Sequence, residues 1–370
     1  MTMAKSRNNI KNLRILIVDD STLHRKLIKE ALGTLPETEI VGYATNGNEA
    51  LLQAETLQPD VITLDIEMPG MDGIEVLSRL QHRNFEGEVI IVSCHTREGA
   101  PLTIKALELG AFDFILKPEH TTLDENLKQL REMMAPMLAA IARRKELKKL
   151  LKGVSVEQEA DFDTAAVERN EWPTSSSSDK SSRIIVIGIS TGGPKVLREI
   201  IPQFPPDLKV PILIIQHMPE GYTSEFAKNL DGISRIAVKE AESGELIQPE
   251  TVYIAPGGRQ LKVGMGTFGR IILITDDPPE NNCRPSVDYC FRSVAKLYGA
   301  EAIGVVMTGM GSDGAIGSQL LKRCGAKIIV QDEATSVVFG MPKSVIDSGV
   351  ADMVCPTNQI VNAINLNLRR

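Results

Sequence analysis

Three polar side chains in the C-terminal half of the chain could together carry out nucleophilic catalysis. Ser190, His217 and Asp313 each stand just beyond a short apolar run typical of a buried strand. Because the carboxyl ends of parallel strands meet at one edge of a sheet, these side chains can converge there. In such a set the histidine takes the serine proton and passes it to the leaving group, while the aspartate orients the histidine. The pattern predicts a hydrolase with Ser190 as its nucleophile.

The turn that carries Ser190 has two interpretations. Residues 188–194 read GISTGGP, and the glycines allow a tight turn with backbone N–H groups close to a ligand. Pro194 suits the first turn of a following helix. Such a corner can expose a serine beside amides that stabilise an oxyanion, or it can hold a phosphate. The order serine, histidine, aspartate differs from that of α/β-hydrolases, so that fold is not expected.

A second group of polar residues follows strand-like runs in the N-terminal half. Asp19 and Asp20 follow the first run, Asp65 follows the third, and Ser93 and Lys117 end the fourth and fifth. Crowded carboxylates repel one another, so this edge of a sheet favours a bound cation. An all-oxygen cluster suits Mg²⁺. The hydroxyl and ammonium groups can contact a phosphoryl group carried by one of the carboxylates.

The elements that must position these acids alternate between strand and helix, which predicts a doubly wound parallel sheet. A long fifth helix is expected from residue 121 or 122 toward residue 152. We interpret its basic end as a solvated helix end, since no aromatic residues are interleaved as in a nucleic-acid surface. The five strand-like runs are residues 14–18, 39–44, 61–64, 88–92 and 113–116.

The composition changes after the long helix. Residues 153–182 are polar, mostly acidic and rich in serine, and they predict a flexible linker that contains the lone Trp172. From residue 183 a second alternating pattern begins, which predicts a second doubly wound α/β domain with its own core. Its strand candidates are residues 183–188, 210–216, 251–255, 270–275, 302–308 and 326–331.

Composition excludes several classes of protein. The chain has 370 residues, a two-domain length, and its net charge of −7 gives no support for a nucleic-acid partner. No apolar run approaches the roughly 18 residues of a membrane span, and the apolar stretch near the N-terminus is too short for a secretory signal. The five cysteines are scattered without a C-x-x-C pair, which argues against a disulfide framework or a cysteine-built zinc site.

The N-terminal motifs resemble the receiver domain of response regulators over about residues 13–138, with a helix tail to about 152. The resemblance implies a flavodoxin-like, five-stranded fold in which Asp65 accepts phosphate from a histidine kinase. It also implies that Mg²⁺ is held by Asp20, Asp65 and the Glu67 carbonyl, with Asp19 contributing through water. The positions that match the family's phosphoryl-sensing and switch residues are Ser93, Lys117 and Phe114. The motifs are VDDS (18–21), LDIEMPGMDG (64–73), VSCHT (92–96) and FILKP (114–118).

The C-terminal motifs are similar to those of CheB, the family of chemotaxis protein-glutamate methylesterases, over about residues 183–366. The resemblance implies hydrolysis of glutamyl γ-methyl esters on chemoreceptors, with release of methanol, and deamidation of certain receptor glutamines. It places Ser190, His217 and Asp313 at the catalytic positions, and Thr191 and Met310 beside the oxyanion region. It implies no cofactor in this domain. The motifs are GISTGGP (188–194), QHMP (216–219), APGG (255–258), RPSVD (284–288), TGMGSDGA (308–315) and QDEATSVVFGMP (331–342).

The sequence departs from that family at two loop positions. Gln260 and Cys283 stand where the family often has histidines. Neither is a catalytic position, but both belong to loops that can line the substrate groove. These departures bear on the choice of substrate more than on the chemistry.

Two complete sites in one chain predict an enzyme regulated by its own receiver. We expect the unphosphorylated receiver to restrain the esterase and phosphorylation of Asp65 to release it. The expected location is the cytoplasm, with membrane contact only through methyl-accepting chemoreceptors. Two alternatives remain at this point: a phosphorylation-switched binding module without turnover, and an esterase or amidase that acts on a protein outside chemotaxis.

Overall fold

A computed structural model of the chain describes residues 12–94, 99–153 and 183–369, with side chains described up to residue 146 in the long helix. The chain divides into two compact units, Met1–Val154 and Ser155–Arg370. Each unit is described by itself below. The predicted linker beyond Gly153, with Trp172, lies outside the described residues, as do residues 95–98.

The described part of the N-terminal unit is a five-stranded parallel sheet in the order β2-β1-β3-β4-β5, and it confirms the predicted alternation of strands and helices. The strands are β1 (Leu13–Val18), β2 (Thr38–Ala44), β3 (Val61–Asp65), β4 (Glu88–Ser93) and β5 (Asp113–Leu116). The helices are α1 (Thr22–Gly33), α2 (Gly47–Leu57), α3 (Gly73–His82), α4 (Gly99–Glu108) and α5 (Leu123–Gly153).

Burial on both faces of the sheet explains why these strands read as apolar runs. All residues of β3 are buried, as are all but the first of β4. The polar residues at the strand ends therefore stand out from the apolar runs, which is why they can be recognised in the sequence. Four of the helices begin at a side chain that accepts a hydrogen bond from the third helical N–H, which is the usual way to satisfy a free helix end. These caps are Ser21, Asn46, Asp72 and Thr122.

The basic end of α5 makes ion pairs within its own unit. Arg144 Nη1 lies 3.1 Å from Glu88 Oε1, and Lys145 pairs with Asp60. These contacts join the helix to the amino-terminal edge of the sheet, on the side opposite to the acid cluster. Two of the basic residues near this end of the helix are therefore held by acids of their own unit.

The described part of the C-terminal unit has a seven-stranded parallel sheet in the order β14-β13-β12-β6-β7-β9-β8 and a separate antiparallel pair, β10-β11. The strands are β6 (Ile184–Ile189), β7 (Ile212–Gln216), β8 (Ala237–Glu240), β9 (Thr251–Ile254), β10 (Gln260–Gly266), β11 (Gly269–Thr275), β12 (Ala302–Val306), β13 (Lys327–Gln331) and β14 (Met353–Cys355). The helices are α6 (Gly193–Ile200), α7 (Tyr222–Ile233), α8 (Val287–Tyr298), α9 (Ala315–Arg323), α10 (Met341–Asp347) and α11 (Thr357–Leu368).

The structure differs from the sequence expectation in the strands that flank the core. The predicted strand at 270–275 exists as β11, but it pairs with β10 in a hairpin outside the parallel sheet. Three strands were not predicted: β8, β10 and β14. β8 is an edge strand that ends in a lysine and a glutamate, and β14 has only three residues, so neither gives an apolar run.

Among the residues that the structure describes, no helix is both long enough and apolar enough to cross a bilayer.

Candidate functional site

Ser190 lies at the sharp corner between β6 and α6. Its backbone N–H donates to the Thr308 carbonyl at 2.9 Å, and its own carbonyl accepts from Gly193 N at 2.7 Å. Gly192 has a φ of 74°, which favours glycine. A Cβ added at Gly192 would also lie 2.5 Å from the Val337 side chain. The backbone and its close packing therefore fix the corner that presents Ser190.

The other two predicted residues are in direct contact. His217 directly follows β7, and its Nε2 lies 2.9 Å from Oδ2 of Asp313 in the loop after β12. Because β12, β6 and β7 are neighbours, Ser190, His217 and Asp313 all lie at one edge of the sheet. Among the described hydrogen bonds, none joins Ser190 Oγ to the imidazole. Such catalytic contacts are often loose before substrate binds.

The carboxylate of Asp313 is held by N–H and O–H donors that come mainly from the first turn of α8 and the loop before it. Burial alone raises the pKa of Asp313, but the hydrogen bonds from His217 and from backbone N–H groups outweigh it and lower the pKa to about 2. The carboxylate is thus ionised and rigidly placed. Besides His217 Nε2, its donors are Val287 N at 2.7 Å, Ser286 Oγ at 2.9 Å, Asp288 N at 3.0 Å, Asn281 Nδ2 at 3.0 Å and Gly314 N at 3.1 Å.

The imidazole of His217 has a second neighbour on its other nitrogen. Nδ1 lies 3.5 Å from Sγ of Cys283, one of the two positions that depart from the family pattern. Burial lowers the pKa of His217, but the hydrogen bond to Asp313 and the contact with Cys283 outweigh it and raise the pKa to about 9. His217 is therefore a stronger base than a histidine in water.

Two backbone N–H groups near Ser190 are available to a ligand. In the described part of the chain, neither Thr191 N nor Met310 N donates a hydrogen bond to another protein group. The Thr191 carbonyl accepts a hydrogen bond from Thr308 Oγ1 at 2.9 Å, which holds this residue in place. The Met310 side chain is partly exposed in the loop that leads to Asp313. Free N–H groups beside a nucleophile are the usual donors to a developing oxyanion.

Sequence reasoning missed the residues that support Asp313 and Cys283. Ser286 caps α8 and donates to Asp313, and a serine just before a helical run is a recognisable capping signal. Gln260 is fully buried; its Nε2 donates to the Cys283 carbonyl at 3.3 Å, and its Oε1 accepts from Ser286 N at 2.9 Å. Asn281 and Gln260 make their contacts within an irregular loop. No periodic pattern in the sequence could therefore have predicted these contacts.

The N-terminal unit gathers its acids around a lysine. Lys117 Nζ lies 2.7 Å from Asp65 Oδ2 and 3.0 Å from Asp19 Oδ2, and all three side chains are buried. Burial raises the pKa of Asp65 to about 6, although Lys117 opposes this. Oxygen atoms of Asp19, Asp20 and Asp65 lie within 4.8 Å of one another. This cluster of hard oxygen donors fits the ligand preference of Mg²⁺.

The remaining predicted residues of this pocket surround the same strand ends. Ser93 is buried, and its Oγ accepts from Thr103 Oγ1 at 3.0 Å. Glu67 is exposed, and its backbone N–H donates to Asp65 Oδ1 at 3.2 Å. Phe114 is buried within β5. His24 was not predicted here, yet its Nδ1 lies 3.7 Å from Asp19 Oδ2.

Together these sites define the class of protein. One sheet carries an acid pocket with a buried lysine, typical of a phosphate-receiving regulatory unit, and the other carries the serine, histidine and aspartate of a hydrolase. Models of known families agree with both halves: the response regulator receiver domain matches residues 15–128, and the CheB methylesterase matches residues 185–364. The chain belongs to the CheB methylesterase family.

Relatives of the chain extend over nearly its whole length. A protein of Desulfotalea psychrophila named protein-glutamate methylesterase/protein-glutamine glutaminase is 45% identical over 361 residues, which is 96% of this chain and 98% of that protein. A protein of Bacillus licheniformis with the same name is 41% identical and covers 97% of this chain and 99% of its own length. The solved CheB methylesterase catalytic domain of Thermotoga maritima is 43% identical, covers 50% of this chain and 97% of that domain, and has a TM-score of 0.49.

Proposed function

We propose that the chain hydrolyses the γ-methyl esters of glutamate side chains on chemoreceptors and deamidates receptor glutamines, and that phosphorylation of its receiver activates it. The observation that carries this proposal is the His217–Asp313 hydrogen bond at the strand ends beside Ser190. It occurs in a chain whose full-length relatives bear the name of this double activity. We place the reaction in the cytoplasm, on the receptor segments that face it.

The proposed reaction begins with attack of Ser190 Oγ on the carbonyl carbon of the ester. His217 Nδ1 accepts the serine proton, because Nε2 is engaged with Asp313. The carbonyl π electrons move to its oxygen, which would accept hydrogen bonds from Thr191 N and Met310 N. The tetrahedral intermediate then collapses, and methanol leaves with the proton from His217.

Water completes the cycle at the same residues. His217 takes a proton from water as the hydroxide attacks the Ser190 ester, and then returns it to Ser190 Oγ as the free glutamate leaves. With a glutamine side chain the same steps release ammonia. Asp313 stays ionised throughout, since its pKa near 2 lies far below neutral pH. Its role is to orient the imidazole and stabilise its charged form.

In the receiver, Asp65 is the proposed phosphate acceptor and a histidine kinase the proposed donor. Asp19, Asp20, Asp65 and the Glu67 carbonyl would hold Mg²⁺, which supplies positive charge against the phosphoryl oxygens when bound. Lys117, now 2.7 Å from Asp65, would contact a phosphoryl oxygen, and so would the Ser93 hydroxyl. Rearrangement of these contacts is the proposed source of activation.

The test is methanol release from methylated chemoreceptor membranes. We expect wild-type protein to release methanol, faster with a small phosphodonor and Mg²⁺, and Ser190→Ala to reduce release by roughly 10³-fold or more. Thr267→Ala, which removes an exposed hydroxyl from the same unit, is the matched control and should retain activity. If the wild type releases no methanol under any condition, the esterase proposal is wrong and a phosphorylation-switched binding module becomes the better interpretation.

A further inference from the structure

The ring nitrogen of His217 that does not face Asp313 lies next to a thiol. His217 Nδ1 and Cys283 Sγ are 3.5 Å apart, and Cys283 is only partly buried. A tetrahedral zinc ion has Zn–N distances of about 2.0–2.1 Å and Zn–S distances of about 2.3 Å. These lengths set its nitrogen and sulfur ligands about 3.5 Å apart. The two atoms therefore already have the spacing of a pair that shares one zinc ion.

The histidine is also supported in the way that metal-binding histidines are. In protein zinc sites, the ring nitrogen that does not bind metal usually donates its N–H to a carboxylate, which fixes the tautomer and the ring orientation. Here Nε2 is 2.9 Å from Asp313 Oδ2. With the proton on Nε2, the lone pair of Nδ1 points away from Asp313. Several donors in turn hold the Asp313 carboxylate, Val287 N at 2.7 Å and Ser286 Oγ at 2.9 Å among them.

Hydrogen bonds from the Gln260 side chain hold the loop that carries the Cys283 sulfur. Buried Gln260 binds the carbonyl of Cys283 at 3.3 Å and the N–H of Ser286 at 2.9 Å. The thiol itself lies 3.3 Å from the Asn281 carbonyl. Little rearrangement is then needed to bring a cation between the sulfur and the imidazole, and preorganisation of this kind favours binding.

We propose that His217 Nδ1 and Cys283 Sγ form a binding site for Zn²⁺ and that zinc bound there inhibits the esterase. On binding, the thiol and Nδ1 of the protonated imidazole each lose a proton to solvent, and water molecules complete the coordination of the ion. The lone pair of Nδ1 is then donated to the metal and can no longer accept the Ser190 proton. A thiolate and an imidazole select zinc over Mg²⁺, whose preferred oxygen ligands lie in the receiver pocket.

The inhibitory part rests on the proposed function and is tested on the full chain by titrating Zn²⁺ into the methanol-release assay. Each variant is normalised to its own rate without zinc. We expect zinc to inhibit the wild type, a chelator to restore the rate, and Cys283→Ser to raise the half-inhibitory zinc concentration at least tenfold. Cys324→Ser removes an exposed thiol from the same unit and should leave that concentration within about threefold. Equal inhibition of wild type and Cys283→Ser would overturn the proposal.

The binding part is tested without activity, by absorption spectroscopy with Co²⁺ as a probe. A thiolate bound to Co²⁺ gives a ligand-to-metal charge-transfer band, which an all-oxygen site cannot give. We expect the band in the wild type, its loss in Cys283→Ser and His217→Gln, and its persistence in Cys94→Ser, which removes the thiol next to the receiver pocket. Thermal unfolding of each variant checks that it is folded.

The two measurements separate the two proposals. A band that depends on Cys283 in a protein without methanol release supports the metal site and overturns the esterase. Methanol release without a Cys283-dependent band overturns the metal site and leaves the esterase. Loss of the band in Cys94→Ser would place the thiolate ligand in the receiver instead and contradict the inference.

Discussion

His217 has different surroundings at its two ring nitrogens, and both act on its basicity. Nε2 contacts an ionised, buried carboxylate, and Nδ1 contacts a thiol. Their combined effect exceeds that of burial and raises the pKa of the histidine to about 9. At neutral pH most of the protein then carries a protonated imidazole, which cannot accept the Ser190 proton. The reactive fraction should grow as the pH rises.

We therefore expect kcat/KM for ester hydrolysis to increase roughly tenfold per pH unit between pH 6 and 8 and to level off near pH 9. The measurement is methanol release from methylated receptor membranes across this range, with hydrolysis in the absence of enzyme subtracted at each pH. Cys283→Ser removes one of the contacts that raise the pKa of His217. In this variant the rise of kcat/KM with pH should therefore occur at lower pH. A rate that is flat from pH 6 to 8 would contradict a raised pKa for this base.

The loop at residues 276–286, between β11 and α8, connects the hairpin to Asp313, the aspartate of the proposed catalytic set. It contains Cys283, Asn281 and the α8 cap Ser286, and it is fastened to β10 by the side chain of Gln260. Because Gln260 and Ser286 are both fully buried, the Ser286 N–H that Gln260 binds has no access to a replacement hydrogen bond from water. Support of Asp313 thus depends on the first residue of a hairpin strand that lies outside the main sheet.

We expect Gln260→Leu to lower the free energy of unfolding by about 1–3 kcal/mol, because it leaves the buried Ser286 N–H without its acceptor at similar side-chain volume. Methanol release should fall as well, since the loop that supports Asp313 loses its anchor. Chemical denaturation and the activity assay measure the two effects. Gln203→Leu is the matched control: this glutamine is exposed, and its loss should cost less than about 0.5 kcal/mol. Similar losses in both variants would show that Gln260 has no special role.

The elements that could be predicted from the sequence are those buried on both faces. β6, β7, β12 and β13 are apolar runs without periodicity, and their ends place Ser190, His217 and Asp313. β10 alternates small, charged and apolar residues and pairs with β11 in a hairpin, so nothing in it indicated a parallel strand. Cys283 and Gln260 were visible as departures from the family pattern. Their contacts with His217 and with the loop depend on irregular backbone, which pattern reasoning does not reach.

The two units use the same structural principle for different chemistry. In each, functional side chains stand at the carboxyl ends of parallel strands, at and beside the central strands where the chain order changes direction. In the N-terminal unit the central strands are β1 and β3, with Asp19 and Asp65. In the C-terminal unit the central strand is β6, with β7 and β12 beside it.

Phosphorylation in one unit should therefore be separable from catalysis in the other. We expect Asp65→Asn to abolish the increase in methanol release caused by a small phosphodonor and Mg²⁺, because the amide cannot accept a phosphoryl group. Asp124→Asn, which neutralises an exposed acid of the same unit, should keep that increase. The ratio of rates with and without phosphodonor is the measurement. A full response in Asp65→Asn would show that another residue accepts the phosphate.

The long chain separation between His217 and Asp313, the proposed catalytic partners, affects the order in which the protein folds. His217 and Asp313 are 96 residues apart in the chain, and Asp313 also depends on α8. Contacts of such separation form late in folding, and domains generally fold in order from the N-terminus during synthesis. The receiver precedes every residue of the catalytic set, so the ribosome completes the regulatory unit while the esterase still lacks its aspartate. The regulatory unit is thereby complete before the esterase that it regulates can become active.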